Sequence, residues 1–270
     1  MLRSMYSGVS GMRGFQTKLD VIGNNIANVN TVGFKGGRVM FKDILSQTVS
    51  GITAPEAGAV GGVNAKQIGL GVGIAAMDTI HTPGSAMTTN VPTDVRIDGD
   101  GFFALKETED GPTLLSRAGN FTLDAARQLV NADGLFVLGP GGETITLDDD
   151  TEAFAISKTG QIIEKKTDGS TVNDKVIGLV NVINPAGLEK VGGNLYRMNQ
   201  NSVEDVEGVE IVNPMTDGLG AIISGALEMS NVDLTAEFTE MIVAQRGFQA
   251  NSRIITTSDE VLQEVVNLKR

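Results

Sequence analysis

The chain has 270 residues, no Cys, no Trp and a single His, and its 21 Lys and Arg face 33 Asp and Glu for a formal charge of -12. The missing Cys excludes disulfides, thiolate catalysis and Cys-ligated zinc or iron–sulfur centres, and a lone His excludes multi-His metal sites. The acidic balance argues against general nucleic-acid binding, which needs cations opposite phosphates. The charge is also uneven: residues 1–50 carry a net +4, 51–233 a net -15 and 234–270 a net -1. An acidic body therefore lies between two ends of different surface chemistry.

The first residues are broken by Ser7, Gly8, Ser10, Gly11 and Gly14 and lack the apolar run of a cleavable signal peptide. No stretch approaches the ~20 apolar residues of a membrane span. The expectation is a protein that is cytosolic or leaves the cell by a route that reads no cleavable signal, without membrane insertion.

Over residues 2–29 apolar side chains recur at helical spacing: Leu2, Met5, Val9, Met12, Phe15, Leu19, Ile22, Ile26 and Val29. The helix should end near Asn28–Gly33, where Asn, Thr and Gly favour turns. Gly8, Gly11, Gly14 and Gly23 each cost about 1 kcal/mol relative to Ala inside a helix, a burden that makes sense if small residues let another helix approach closely.

Residues 51–73 hold seven Gly, four Ala and one Pro, the composition of an extended or irregular connector. From about 74 to 228 short alternating runs are split by turn signals. Asp94–Ile97 leads through Asp98-Gly99-Asp100-Gly101 into Phe102–Leu105, read as two strands joined by a hairpin turn. Phe121–Leu123, Leu135–Leu138, Thr144–Leu147, Gln161–Ile163 and Val176–Ile183 continue the series, which predicts an all-β body.

The C-terminal end is helical again. Leu234, Met241, Phe248, Ile255 and Leu262 recur every seven residues, with Phe238, Gln245, Ser252, Asp259 and Val266 four positions after each. Such a repeat is a coiled-coil signal, and the polar Gln245 and Asn251 near the seam suit register rather than stability. The fold class that follows is α+β: discontinuous N- and C-terminal helices forming a coiled-coil domain (1–30 and 234–270), a connector (31–73), an inserted, mainly antiparallel β domain (74–228) and a return connector (229–233). The helices can pack on the domain core, or they can pair with each other and with copies from other chains.

No motif reaches an active site. Asp98-x-Asp100-Gly101 lacks the remaining ligands of a calcium loop. Gly69-x-Gly71-x-Gly73 is not a dinucleotide fingerprint. Asp148-Asp149-Asp150 and Glu152 read as a solvated loop, and His81 as structural. Neither a cofactor nor a metal is expected, nor is the chain expected to be an enzyme. A rival of another class, an enzymatic or carbohydrate-binding module on the β body, needs a cleft with convergent polar groups.

The informative run is Asn24-Asn25-Ile26-Ala27-Asn28 followed by Thr31-x-Gly33-Phe34-Lys35. Asn24 and Asn28 share a helix face, and their amides can bridge backbone groups of adjacent elements. Gly33 suits a positive φ, which lets Phe34 fold back as an anchor. This run resembles the N-terminal signature of the bacterial flagellar rod and hook proteins. Ala226-Leu227-Glu228-x-Ser230-Asn231-Val232-Asp233-Leu234 and Met241-Ile242-Val243-Ala244-Gln245-Arg246 resemble the C-terminal one. Gly101-Phe102-Phe103 and Arg117-Ala118-Gly119-Asn120-Phe121-Thr122-Leu123 are similar to its central β region.

The resemblance implies a structural subunit whose terminal helices form an inner tube and whose β domain forms the outer wall. On that reading Met5, Val9, Met12, Phe15, Leu19, Ile22 and Ile26 of one helix contribute to the coiled-coil and subunit interface. So do Leu234, Phe238, Met241, Gln245, Phe248, Asn251, Ile255 and Leu262 of the other. The implied partners are copies of the chain itself, neighbouring rod, hook-cap and hook–filament junction proteins, and the type III export apparatus; the implied location is the flagellum. Gly23 before Asn24-Asn25-Ile26, with Ala226-Leu227-Glu228 and Val243-Ala244-Gln245-Arg246, points to the hook, a flexible universal joint. The alternative is the distal rod, a rigid drive shaft, whose members carry a longer segment corresponding to 46–73.

Overall fold

Both terminal stripes form helices in the computed structural model of the protein, α1 at Leu2–Ala27 and α2 at Leu234–Asn267. The structure describes residues 2–52, 54, 61–108, 111–203, 210–216 and 218–268. The architecture is α+β, with a mainly antiparallel β body between the two helices. α1 stops where the Asn-rich turn begins, and α2 starts on Asp233, whose carboxylate accepts from the amides of Thr235 and Ala236.

The chain divides into two compact units that differ from the expected domains. One holds Met1–Ala27, Gly37–Thr79 and Asp233–Arg270; the other holds Asn28–Gly36 and Ile80–Val232. The N-terminal signature downstream of Ala27 thus belongs with the β body, and so do residues 31–36 of the expected connector, whose remainder from 37 on belongs with the helices.

The described part of that connector is not irregular, and its residues 53 and 55–60 lie outside the described residues. Strand β1 (Gly37–Asp43), β2 (Ser46–Ser50), β3 (Lys66–Gly69) and β4 (Val72–Thr79) form nested antiparallel pairs, β1 with β4 and β2 with β3. β1 and β4 lie on α1: the Phe41 ring stands 5.9 Å from that of Phe15, and the Val72 amide donates to Ser10 Oγ at 3.3 Å. β2 and β3 are exposed along both faces. They leave no period-2 pattern of burial, which is why composition alone suggested a structureless stretch.

In the second unit the strand Phe102–Lys106 is central and almost wholly buried. It pairs antiparallel with Leu114–Ser116 on one side, and with Phe136–Val137 and Leu179–Val180 on the other. Its alternation divides the interior between two clusters. Phe103 and Leu105 pack with Val95, Ile97, Phe121, Val137, Ile177, Leu179 and Ile222. Phe102 and Ala104 point to the other face, with Leu115, Leu138, Val180 and Tyr196. A separate three-stranded antiparallel sheet comprises Thr151–Ile156, Gln161–Lys166 and Thr171–Val176.

Asp98–Gly101 does not close a hairpin. Val95–Asp98 pairs with Ala221–Ser224, whereas Phe102–Lys106 joins the large sheet. Gly99 and Gly101 take φ of 128° and 125°, and Gly220 lies against Gly99 so closely that a Cβ there would come within 2.9 Å. The glycines let the chain switch sheets at a point too crowded for side chains. In the expected acidic loop, Asp148 is held by Lys166 and Lys175 at 2.7 and 2.8 Å, and these two ammonium groups pull its carboxyl down to about 2.

Gly119 meets a similar constraint. Its carbonyl accepts from the Val95 amide at 2.9 Å, and a Cβ on it would overlap the Val95 carbonyl oxygen. Gly119→Ala should therefore lower stability by about 2 kcal/mol or more, read as a lower urea midpoint at unchanged slope; an unchanged midpoint would show that the contact is not constraining.

Candidate assembly interface

α1 and α2 run antiparallel and meet through small residues. Gly8 and Gly11 are buried against Asn251, and a Cβ on Gly11 would lie 2.9 Å from its amide. From the other side Gly247 faces the Phe15 ring, where a Cβ would come within 2.6 Å, and Ala244 is fully buried. Lys18 pairs with Glu240 across the same seam. Of the glycines that weaken an isolated α1, Gly8 and Gly11 permit this close approach, Gly14 admits the Phe41 ring and Gly23 faces open space.

The structure orders the expected interface residues by depth. Of the α1 stripe, Ile22 is buried, Met5, Met12, Phe15, Leu19 and Ile26 are half-buried, and Val9 is exposed. On α2, Met241, Asn251, Ile255 and Leu262 are half-buried, whereas Leu234, Phe238, Gln245 and Phe248 are exposed. The companions of the seven-residue repeat within the chain stand three positions on, at Glu237, Ala244, Asn251 and Ser258, rather than four. Hydrophobicity pointed to Phe238; the signal for the inward set was residue size, because a seam lined by Gly8 and Gly11 admits only small or slender partners.

Asn25, which lies between Asn24 and Asn28, carries a buried amide that bridges elements. Its side chain is 2 % exposed. It donates to the Gly37 carbonyl at 2.8 Å and to Glu237 Oε1 at 2.9 Å, and accepts from the Gly37 amide at 2.9 Å. One residue thereby ties α1 to the start of β1 and to the first turn of α2, and burial moves the Glu237 carboxyl up while the Asn25 bond opposes it. Asn24 is exposed, and Asn28 accepts from Thr31 Oγ1 at 3.1 Å in the turn that follows.

In the β-bearing unit the rest of the signature converges on Glu228. Gly33 takes φ of 69° and lies so close to Ala118 that a Cβ would approach its amide nitrogen to 2.6 Å; the Gly33 amide donates to the Glu228 carbonyl at 2.8 Å. Phe34 is buried, with the Lys190 ammonium 5.3 Å from its ring centre. Lys35 is fully buried: its Nζ donates to Glu228 Oε1 at 2.5 Å and to the Thr82 carbonyl at 2.8 Å. The Gly84 amide adds a second hydrogen bond to the same carboxylate, at 3.0 Å, and Arg117 NH1 stands 3.5 Å from Glu228 Oε2. Burial pulls Lys35 and Arg117 below their ordinary values, and Glu228 opposes it in both. The neighbouring His81 packs edge-on against Phe102 and Tyr196, and burial, with Lys35, Lys190 and Arg117 nearby, pushes it down to about 4. None of this was legible as an ion pair, since the partners lie 193 residues apart.

Glu228→Gln leaves two buried cations without their anion and should cost about 3–5 kcal/mol, of which Lys35→Met in the same chain recovers part; equal losses in the single and double variants would deny the coupling. His81 gives a separate signature. Its folded value lies below the unfolded one, so the unfolded chain binds the extra proton, and stability is lost as pH falls from about 6.5 toward about 4, by at most about 3 kcal/mol. Denaturation of His81→Gln across that window should show a shallower decline than the parent.

Comparison with known proteins agrees with this arrangement. Residues 5–35 match the family described as flagella basal body rod protein, 96–164 the flagellar hook protein FlgE/F/G D1 domain, and 223–268 the C-terminal region of flagellar basal body rod FlgEFG proteins. The chain is 55% identical over 270 residues to the flagellar basal-body rod protein FlgG of Bacillus subtilis, covering all of both chains. It is 37% identical over 276 residues to the protein of the same name from Borreliella burgdorferi, again with full coverage of both. The flagellar hook protein FlgE of that organism is 30% identical over 448 aligned positions, likewise across both whole chains, so it carries long insertions that this chain lacks. The likeness to rod proteins thus exceeds the likeness to hook proteins, against the expectation from the short motifs. The chain belongs to the family of flagellar basal-body rod and hook proteins, and it is a structural protein, not an enzyme.

Proposed function

We propose that this chain is a subunit of the flagellar rod, in its distal, drive-shaft part, rather than of the hook. The observation that carries the reading is the 55% identity to a rod protein along the full length, with the two chains matching end to end. That full-length likeness outweighs the short motifs that point to a hook. Residues 37–50 and 66–79 support the rod as well: they form a paired β arm instead of a short connector, and the family resemblance associates a longer segment here with a stiffer tube.

In this reading copies associate through unlike surfaces that do not close, giving a helical tube. The terminal helices line it and the acidic β body faces outward. Leu234, Phe238 and Phe248 remain 40%, 50% and 37% exposed in the single chain, which leaves them to meet neighbouring subunits. The remaining partners are other flagellar rod and hook proteins, and the route of exit is the flagellum's own type III export apparatus.

Electron microscopy of a strain lacking this chain should show basal bodies with an incomplete rod; complete rods without hooks would return the assignment to the hook. Truncation of 1–30 or of 235–270 should abolish incorporation while the β body stays folded, and a truncated chain that still assembled would remove the terminal helices from the mechanism.

A further inference from the structure

α1 presents three faces. Gly8, Gly11, Phe15, Lys18 and Asn25 meet α2, and Ser10 and Gly14 meet the β1–β4 pair. The third row, Tyr6, Val9, Arg13 and Thr17, joins Ile44 and Ile74 in lining an open, mainly apolar groove. This row is displaced two residues from the α2-facing one, about 160° around the helix axis, so the chain's own α2 cannot fill it. Tyr6 and Ile44 are left 73% and 57% exposed.

α2 has a segment that suits such a groove. Glu237 lies beside Asn25, Gly247 beside Phe15 and Ile255 beside Gly8. Continued at equal rise, that register sets Leu2 opposite about residue 260, and the last turns of α2 run on without α1 beneath them. There Val261, Val265 and Leu268, spaced four and three apart on one face, are 46%, 52% and 85% exposed. The stripe covers about 10 Å and the groove row Tyr6–Thr17 about 16 Å at 1.5 Å per residue, so the one fits along the other.

The charges match as well. Asp259, Glu260 and Glu264 flank the stripe, ahead of Lys269 and Arg270, which lie outside the described residues, and Arg13 lines the groove. Among the described residues neither Arg13 nor any of these three acids takes part in an ion pair.

We infer that the groove receives the C-terminal segment of α2 from a second copy of this chain. Val261, Val265 and Leu268 lie on its apolar floor, and the carboxylates of 259–264 stand beside Arg13. The inference rests on the polymerising reading above and specifies the surfaces. Groove and segment are different parts of one molecule, so the contact repeats head to tail and does not close into a two-fold dimer.

The absence of native Cys makes the test direct. Full-length Val9→Cys and Val265→Cys chains, mixed at high concentration under mild oxidation, should form disulfide-linked pairs between the two variants. Met77→Cys with Val265→Cys, placed at an exposed site away from the groove, is the control. Val9→Asp and Val265→Asp should each weaken self-association about tenfold or more. Mixed together they should form one-to-one pairs and nothing longer, since each variant keeps one intact surface. If copies associate while the groove pair cross-links no better than the control and Val9→Asp changes nothing, the docking is overturned and the rod reading stands. If full-length copies do not associate at any concentration, both fall.

Discussion

One carboxylate holds together parts of the chain that are remote in sequence. Glu228 meets Lys35 from the N-terminal signature, Arg117 from the centre and the backbone of Gly84, and its own carbonyl accepts from Gly33. Two cations against one anion, all nearly inaccessible to solvent, is a costly arrangement unless every member is present. The β-bearing unit is therefore not a self-contained insertion: residues 28–36 supply a charge that its interior depends on. The three short motifs that resemble the flagellar family are in this sense one feature, seen in three places along the chain.

The helical unit is built on the opposite economy. It gathers few large side chains: among the described residues Ile22 and Ala244 are the buried apolar members on the two helices, and the seam otherwise includes glycines, Asn251 and half-buried apolar groups. Close approach substitutes for bulk. Much apolar surface stays outside, on α2 and along β2 and β3. A helix pair that buries so little within one chain leaves apolar surface open to neighbours, which fits membership of a family of flagellar structural proteins.

What could be read without coordinates follows a physical division. Periodicity reports one-sided burial, so α1 and α2 were visible as patterns, whereas the central strand Phe102–Lys106, packed on both faces, showed as a short apolar run beside a turn signal. It is silent where both faces are exposed, and β2 and β3 were missed. Hydrophobicity chose Phe238 as a companion in the helical repeat, while the chain turned the small Ala244 and slender Asn251 inward, because the opposing glycines set the spacing. Spacing singled out Asn24 and Asn28 on one helix face, while the buried bridge at Asn25 between them depends on β1 and α2, which no local pattern reveals. The glycine turn at 98–101 was recognised, but a turn signal does not say which strands it connects, and here it joins two sheets. Long-range charge partners such as Lys35 and Glu228 leave no local trace at all.

The division of the chain into two units carries a mechanical corollary. The polypeptide passes from one unit to the other four times, at 27/28, 36/37, 79/80 and 232/233. Four covalent crossings act in parallel, so a load applied to one unit is shared among several backbones instead of falling on a single tether. Cleavage at any one crossing leaves the units joined by the other three. A structural subunit gains from such redundancy: no single peptide bond is its fuse.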